Sequence, residues 1–455
     1  MTSANVGSFD MEVDPESVGL DAAALERLSP LFERWVTSEQ MPNATALVAR
    51  HGKIAWWKGC GEQNPGVPLN RETIFRIYSM TKPITSVAIM MLVERGQLQL
   101  YQPVWHLLGK NWKAKNMQVY VSGSADDMKL EPCKTDITIL QLLTHTSGIS
   151  YGFGGTEGFN PVAKLHQEAM SHCPIGFDSV ETVSAHVTAR GILGSRRSLT
   201  EAADIIAKLP LVCQPGTHFH YGWNVGILGR IVEVVSGMSL GDFFHSHIFV
   251  PLQMQDTSFV LPIEKKARLA NCWYRAGYTS DKQIDITDYE RQGGDYIIGR
   301  SKLEDGGGGL LSTMGDFFRF CQCILDGGVS RQGARILSTK TVEFMFKNHL
   351  PGGKDTKSII AFPGYNEQDR PGIGFGLGFA CVQDVTAGMV NTSLGEVGWG
   401  GLASTVFYID PVEDLVVIFM TQCIGINRVR FPIGDVLRNV VSGALVRRPT
   451  IIAKL

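Results

Sequence analysis

The 455-residue chain has little excess charge, few paired-looking cysteines and no long apolar run. Lys+Arg total 42 against Asp+Glu 44, a formal charge of −2 with no basic stripe, so nucleic acid is not an expected partner. The apolar runs fall far short of the ~20 residues that a membrane span needs. Residues Met1 to Gly7 show neither a cationic patch nor an apolar leader core, which points to cytoplasmic placement. Nine cysteines in so large a chain without a leader read as free thiols. The one close pair, Cys321 and Cys323, lies two apart in a helical pattern and cannot face each other, so both are expected to pack. His218 and His220 fit one strand face, but no third ligand accompanies them, and neither a metal nor another cofactor is expected.

What is present is an ordinary globular balance, 44% hydrophobic and 19% charged, large enough for two domains or one elaborate one. A helix is expected from Asp21 to Val36, then a hairpin of Ala44–Arg50 and Ile54–Lys58 around His51-Gly52-Lys53. Helical patterns broken by Gly-rich loops fill residues 110 to 300, and Tyr151–Phe159 reads as a site rim or lid. The last third turns β-like: Phe375–Phe379, Ser404–Ile409 and Leu415–Met420 read as strands, the latter two joined by a turn at Asp410–Asp414. A helix from Pro432 to Leu445 closes the chain. Strands at both ends around a helical middle predict an α/β (α+β) fold: a sheet domain from 1–109 and 301–455, and a mainly helical domain from 110–300.

Ser79-Met80-Thr81-Lys82 is the most informative stretch. The apolar spacing of Ile84, Val87, Ala88, Met91 and Leu92 predicts a helix after it, with Pro83 in the first turn and Gly96 at the stop. Ser79 and Lys82, three apart at a helix start, share a face. A serine hydroxyl needs a base before it attacks, and a lysine serves only where its surroundings disfavour the ammonium form. The tetrapeptide alone is common and is equally an N-capping serine followed by a solvated lysine. Its context is more telling, because two further stretches accompany it. Pro215–Asn224 places Tyr221 at a turn before the apolar helix from Val225, where it can project into a cleft and pass a proton. Gly398-Trp399-Gly400-Gly401-Leu402-Ala403 precedes a strand, and its glycines admit a substrate close to the backbone.

In this order the three stretches resemble the serine β-lactamase and penicillin-binding-protein superfamily, and within it the family VIII carboxylesterases. Phe75–Lys82, Leu142–Gly148, Pro251–Thr257 and Gly308–Thr313 extend the resemblance across roughly residues 20 to 440. It implies an antiparallel sheet flanked by helices, a mostly helical domain, and a site between them. It also implies Ser79 as the acylated nucleophile, Lys82 and Tyr221 as its acid/base pair, and the N–H groups of Ser79 and Leu402 as the oxyanion hole. Tyr78, Tyr151, Phe153, Trp399, Gly400, Gly401 and Asn224 are the candidate substrate-binding residues. The chain departs from the pattern twice. Gly222 and Trp223 follow Tyr221, so Asn224 comes one place late, and Leu100-Tyr101-Gln102-Pro103 replaces the usual Leu-Asp-Asp-Pro.

The third motif separates the branches. Lactamases and carboxypeptidases of this superfamily place Lys-Thr-Gly there, and the lysine meets the substrate carboxylate. Trp399 in its stead forfeits on the order of 1.5–3 kcal/mol toward an anionic substrate and offers an apolar wall to a neutral acyl or alcohol group. A small-molecule carboxylic ester is therefore the expected substrate. The alternatives are an acyltransferase using the same acyl-enzyme, a β-lactamase or D-amino-acid peptidase, and a non-catalytic scaffold. Gly148-Ile149-Ser150-Tyr151-Gly152 matches the G-x-S-x-G elbow, which needs a strand before the serine and a helix after it. Here a helical pattern precedes and a Gly-rich loop follows, so the match is read as accidental.

Overall fold

A computed structural model describes residues 12–38, 40–151, 160–170, 197–275, 283–287, 303–361, 370–426 and 432–446. The N-terminal hairpin forms as its turn predicts: β1 (Asn43–Arg50) pairs antiparallel with β2 (Lys53–Asn64). The short β3 (Val67–Pro68) extends one edge. The rest of the sheet comes from the other end of the chain: β4 (Ile373–Phe375), β5 (Ala380–Val382), β6 (Val397–Gly400), β7 (Val406–Asp410) and β8 (Leu415–Met420). Their order is β4-β5-β6-β7-β8-β1-β2-β3, so β1 zips onto β8 with Thr45 opposite Met420 and Arg50 opposite Leu415. The sheet is thus assembled from the two termini, as the strand pattern implied.

All eight residues of β1 and all six of β8 are buried. Side chains alternate across a strand, and here both faces are covered. Ala44, Ala46, Val48, Leu415, Val417 and Phe419 pack with Phe32, Trp35, Leu437 and Val441 on one face. Leu47, Ala49, Val416, Ile418 and Met420 join the larger core on the other. Helices α1 (Leu28–Thr37) and α6 (Ile433–Ala444) supply the first layer, while α2 (Thr81–Glu94) and α5 (Met314–Leu325) belong to the second. Cys321 and Cys323 pack inside α5, and all eight described cysteines are free thiols.

Three elements differ from expectation. The helix expected from Asp21 breaks into Ala22–Leu25 and α1, because Pro30 has no N–H for the Glu26 carbonyl and its ring crowds that turn. Of the strand expected at Phe375–Phe379 only Phe375 is in a strand, at the end of β4; Gly376–Phe379 form the turn to β5, where the Gly376 N–H bonds the Phe379 carbonyl and Gly378 takes φ +96°. The helical middle also carries strands. Trp273–Arg275 pairs parallel with Cys423–Ile424 and antiparallel with Gln283–Asp285.

Helix α2 runs through the interior, buried at every position from Thr81 to Leu92. Such a helix must satisfy its polar side chains locally. Thr85 Oγ1 donates to the Gly306 carbonyl at 2.7 Å, and Thr81 Oγ1 accepts from the Leu310 N–H at 3.1 Å. These bonds tie the glycine run 306–309 to the helix. Helix α4 (Asn224–Ser236), numbered after Ile139–Leu143 (α3), packs beside α2 and brings the Tyr221 turn to its start. Among the described residues no helix is long and apolar enough to cross a membrane.

Candidate active site

Ser79 lies in a single 3-10 turn, Tyr78–Met80, that runs directly into α2. It is half-buried, whereas Lys82, three residues on, is 1% exposed. The Lys82 Nζ donates to Ser79 Oγ at 3.1 Å, to the Tyr151 hydroxyl at 3.0 Å and to the Gly307 carbonyl at 2.5 Å. All three acceptors are neutral, and no carboxylate pairs with this ammonium among the described residues. The Tyr221 hydroxyl donates to the same Ser79 Oγ at 2.8 Å. One half-exposed hydroxyl is therefore held by a buried amine and a phenol, which distinguishes the pair from a capping serine and a solvated lysine.

Tyr221 is 8% exposed and fixed by rings on several sides. Its centroid lies 4.6 Å from His145 and 5.4 Å from both Tyr151 and Trp399, with Lys82 Nζ 4.7 Å from its face. The next residue has to be glycine, since a Cβ on Gly222 would overlap the Ile149 carbonyl oxygen. That close approach lays the Tyr221 turn onto the Ile149–Ser150 backbone.

Behind Tyr221 is a polar layer. Asn224 is fully buried; its amide NH2 donates to His145 Nδ1 at 3.0 Å, and its carbonyl accepts from the Ser147 hydroxyl. The Gly222 N–H also reaches His145 Nδ1, at 3.4 Å. With Nδ1 accepting twice, the imidazole is neutral and carries its proton on Nε2. Burial, then the Lys82 charge and His220, hold its pKa well below the ordinary value. Asn224 thus sits one layer back from the serine. His145 and Gly307 are site residues that the local pattern did not single out. His145 lay within Leu142–Gly148, and Gly307 within the glycine run, so both stretches carried a signal.

Trp399 is half-buried at the end of β6, edge-on to Phe375 at 5.2 Å. Gly400 ends the strand, and β6 lies against the Tyr78–Met80 turn. A Cβ at Gly401 would overlap both the Ile77 carbonyl oxygen and Thr405 Oγ1. Glycine there lets the chain turn close to Ser79, with Leu402 next. Among the described residues the Leu402 N–H has no hydrogen-bond acceptor. Tyr78 takes φ +43°, rare for a side chain of its size. Its hydroxyl is 3.8 Å from Cys272 Sγ, and its ring packs with Leu402 against Cys272, Tyr274, Ala403 and Ile424. Phe153, with most of the Tyr151–Phe159 loop, lies outside the described residues.

Ser150, the serine of the G-x-S-x-G match, is 1% exposed. It sits 3.0 Å from His220 Nε2 and donates to the Tyr151 carbonyl. A helix, α3, precedes it instead of a strand, so the elbow geometry is absent. His220 has its pKa pushed down to about 4 by burial. His218 Nδ1 is 2.9 Å from Thr217 Oγ1. Among the described residues no three metal-ligating side chains gather.

A sheet built from both termini, and a serine turn entering a buried helix, define a β-lactamase/transpeptidase-like fold. The Beta-lactamase family model matches residues 28–432, and the chain belongs to that family. Protein Rv1367c of Mycobacterium tuberculosis (strain ATCC 25618 / H37Rv) is 30% identical to it over 371 residues, 80% of this chain and 81% of the relative. Esterase EstB of Burkholderia gladioli is 26% identical over 90% of this chain and 93% of its own. Among solved structures, EstCE1, described as a hydrolase with promiscuous acyltransferase activity, aligns with a TM-score of 0.69. The alignment covers 92% of this chain and 99% of EstCE1 at 21% identity, a likeness of fold.

Proposed function

We propose that the chain is a serine carboxylesterase that works through an acyl-enzyme on Ser79. The observation that carries this reading is the convergence of Lys82 Nζ and the Tyr221 hydroxyl on one half-exposed Ser79 Oγ, at 3.1 and 2.8 Å. With Lys82 acting as the neutral amine, Nζ takes the serine proton as Oγ attacks the ester carbonyl, with Tyr221 in the same hydrogen-bond network. The carbonyl oxygen becomes an oxyanion held by the N–H groups of Ser79 and Leu402. Tyr221 or Lys82 then protonates the leaving alcohol, and water releases the acid by the reverse sequence. The name of the relative EstB supports an ester substrate. So does Trp399, whose indole offers a neutral wall beside Tyr221. Tyr78, Gly400 and Gly401 line the approach, with the sheet region (1–109 and 301–455) and the helical region (110–300) as two walls. No cofactor takes part in these steps.

The first half-reaction is the same whether water or an alcohol completes the cycle, so the test must read the acyl-enzyme itself. Wild type and Ser79→Ala are mixed with p-nitrophenyl acetate and butyrate, the burst is followed, and the quenched protein is weighed intact. A burst and an acyl adduct, both absent from Ser79→Ala, are expected; added alcohol then partitions the adduct between acid and new ester. Residual hydrolysis unchanged in Ser79→Ala would overturn the reading and leave a scaffold as the better account. Saturable turnover of a chromogenic cephalosporin at rates matching the esters would favour the lactamase branch instead.

A further inference from the structure

A neutral lysine amine has two N–H bonds and one lone pair, and it can accept the serine proton only if that lone pair faces Ser79. Among the described residues Lys82 Nζ has three hydrogen-bond partners, and they differ in kind. The Gly307 carbonyl, at 2.5 Å, can only accept. The Tyr151 hydroxyl, at 3.0 Å, takes a second N–H. Ser79 Oγ, at 3.1 Å, accepts an N–H from the ammonium form, and once the amine is neutral it is left as the group that meets the lone pair. We infer that Tyr151 is a positioning residue: with the Gly307 carbonyl it forms a two-acceptor cradle that uses both N–H bonds of the neutral amine and turns the lone pair onto Ser79. This rests on the acyl-enzyme reading above and adds to Tyr151 a role other than contact with substrate.

The surroundings fit a cradle better than a substrate wall. Tyr151 is 7% exposed, its ring is 5.4 Å from Tyr221, and Nζ lies 5.4 Å from its centroid. Asn224, the amide nearest in sequence to Tyr221, is committed to His145 and Ser147. Glycine at 307 keeps the cradle open, because a Cβ there would stand 3.1 Å from both the Tyr151 hydroxyl and Asp305 Oδ1. Among the described residues the titratable groups around Lys82 are Tyr151, Tyr221, His145 behind Tyr221, and Asp305, whose Oδ1 accepts from the Gly307 N–H at 2.7 Å.

The test measures acylation of wild type, Tyr151→Phe and Ser79→Ala by p-nitrophenyl acetate and butyrate as a function of pH. Tyr151→Phe keeps the ring and removes the acceptor. Its burst rate constant and kcat/KM are expected to fall on the order of 10²-fold with KM little changed. The acid limb of kcat/KM should move to lower pH, because the ammonium loses one acceptor. Replacing Tyr151 by 3-fluorotyrosine, whose hydroxyl is a weaker acceptor in an almost unchanged shape, should move the limb the same way by less. It keeps the test open if Tyr151→Phe folds poorly. An unmoved limb and burst, with KM changes that track acyl length, would overturn the inference and make Tyr151 a substrate wall. Ser79→Ala separates the two failures. If it retains turnover, the acyl-enzyme reading fails and the inference with it. If it is inactive while both Tyr151 variants acylate like wild type, only the cradle fails.

Discussion

Lys82 and Arg438 are both drawn into the protein, on opposite sides of the same sheet, and their partners differ completely. Arg438, on α6, grips Glu396 just before β6 through Nη2 at 2.6 Å and Nε at 2.9 Å, and lies 4.7 Å over the Tyr408 ring. Burial works against its charge, but the Glu396 carboxylate prevails and holds the guanidinium above its ordinary pKa. That cation is fixed and pins the last helix to the sheet. Lys82 meets a hydroxyl, a phenol and a carbonyl, none of them a carboxylate. A buried cation with its own carboxylate is a clamp. On the reading proposed above, one left among neutral acceptors beside a hydroxyl is the one that gives up and recovers a proton.

The contrast can be broken from either side. The largest effect is expected for Ser79→Ala, which should cut turnover by several powers of ten, on the order of 10⁶, with a near-native Tm. Glu396→Gln should do the opposite. It strands Arg438, costing roughly 3–5 kcal/mol in a urea melt, while kcat per folded molecule stays close to wild type. Trp399→Lys places a cation where the indole stands. Binding of an anionic cephalosporin should improve by about 1.5–3 kcal/mol, read as a lower inhibition constant, as hydrolysis of p-nitrophenyl butyrate declines. The last effect is on pH. His145 and His220 are buried, and their folded-state pKa values lie below the unfolded value, that of His220 at about 4. The unfolded chain therefore binds protons first, and stability present above pH ~6.5 is lost as pH falls. The His220 ring should contribute a slope approaching about 1.4 kcal/mol per pH unit below that point, with His145 acting in the same direction, seen as a falling urea midpoint between pH 7 and 5. His220→Gln should flatten it.

Local chemistry made much of this legible. The turn residues His51-Gly52-Lys53 and Asp410–Asp414 announced two hairpins that form with β1/β2 and β7/β8. The spacing after Lys82 announced α2, although the helix begins at Thr81 and is buried on every side. Pro30 and Gly378 act through a single missing N–H and a single positive φ, which period counting averages away. The candidate site was legible as three separate stretches, but not the other groups that gather around it. Gly307 reaches Lys82 from 225 positions away, and only the packing of the glycine run on α2 brings its carbonyl there. The fate of Asn224 was equally hidden, because which face of α4 meets His145 depends on the Gly222 approach to Ile149.

The most direct measurement is Lys82→Met, assayed for acylation of Ser79 and for thermal stability in the same preparation. If Lys82 is held for proton transfer, acylation should fall by roughly 10²–10⁴-fold. Tm should hold or rise, because a nearly isosteric apolar chain replaces a buried charge that lacks a carboxylate. A protein that still acylates at the wild-type rate, or one that keeps its chemistry and loses only stability, would show that Lys82 is a clamp like Arg438 and would contradict the account.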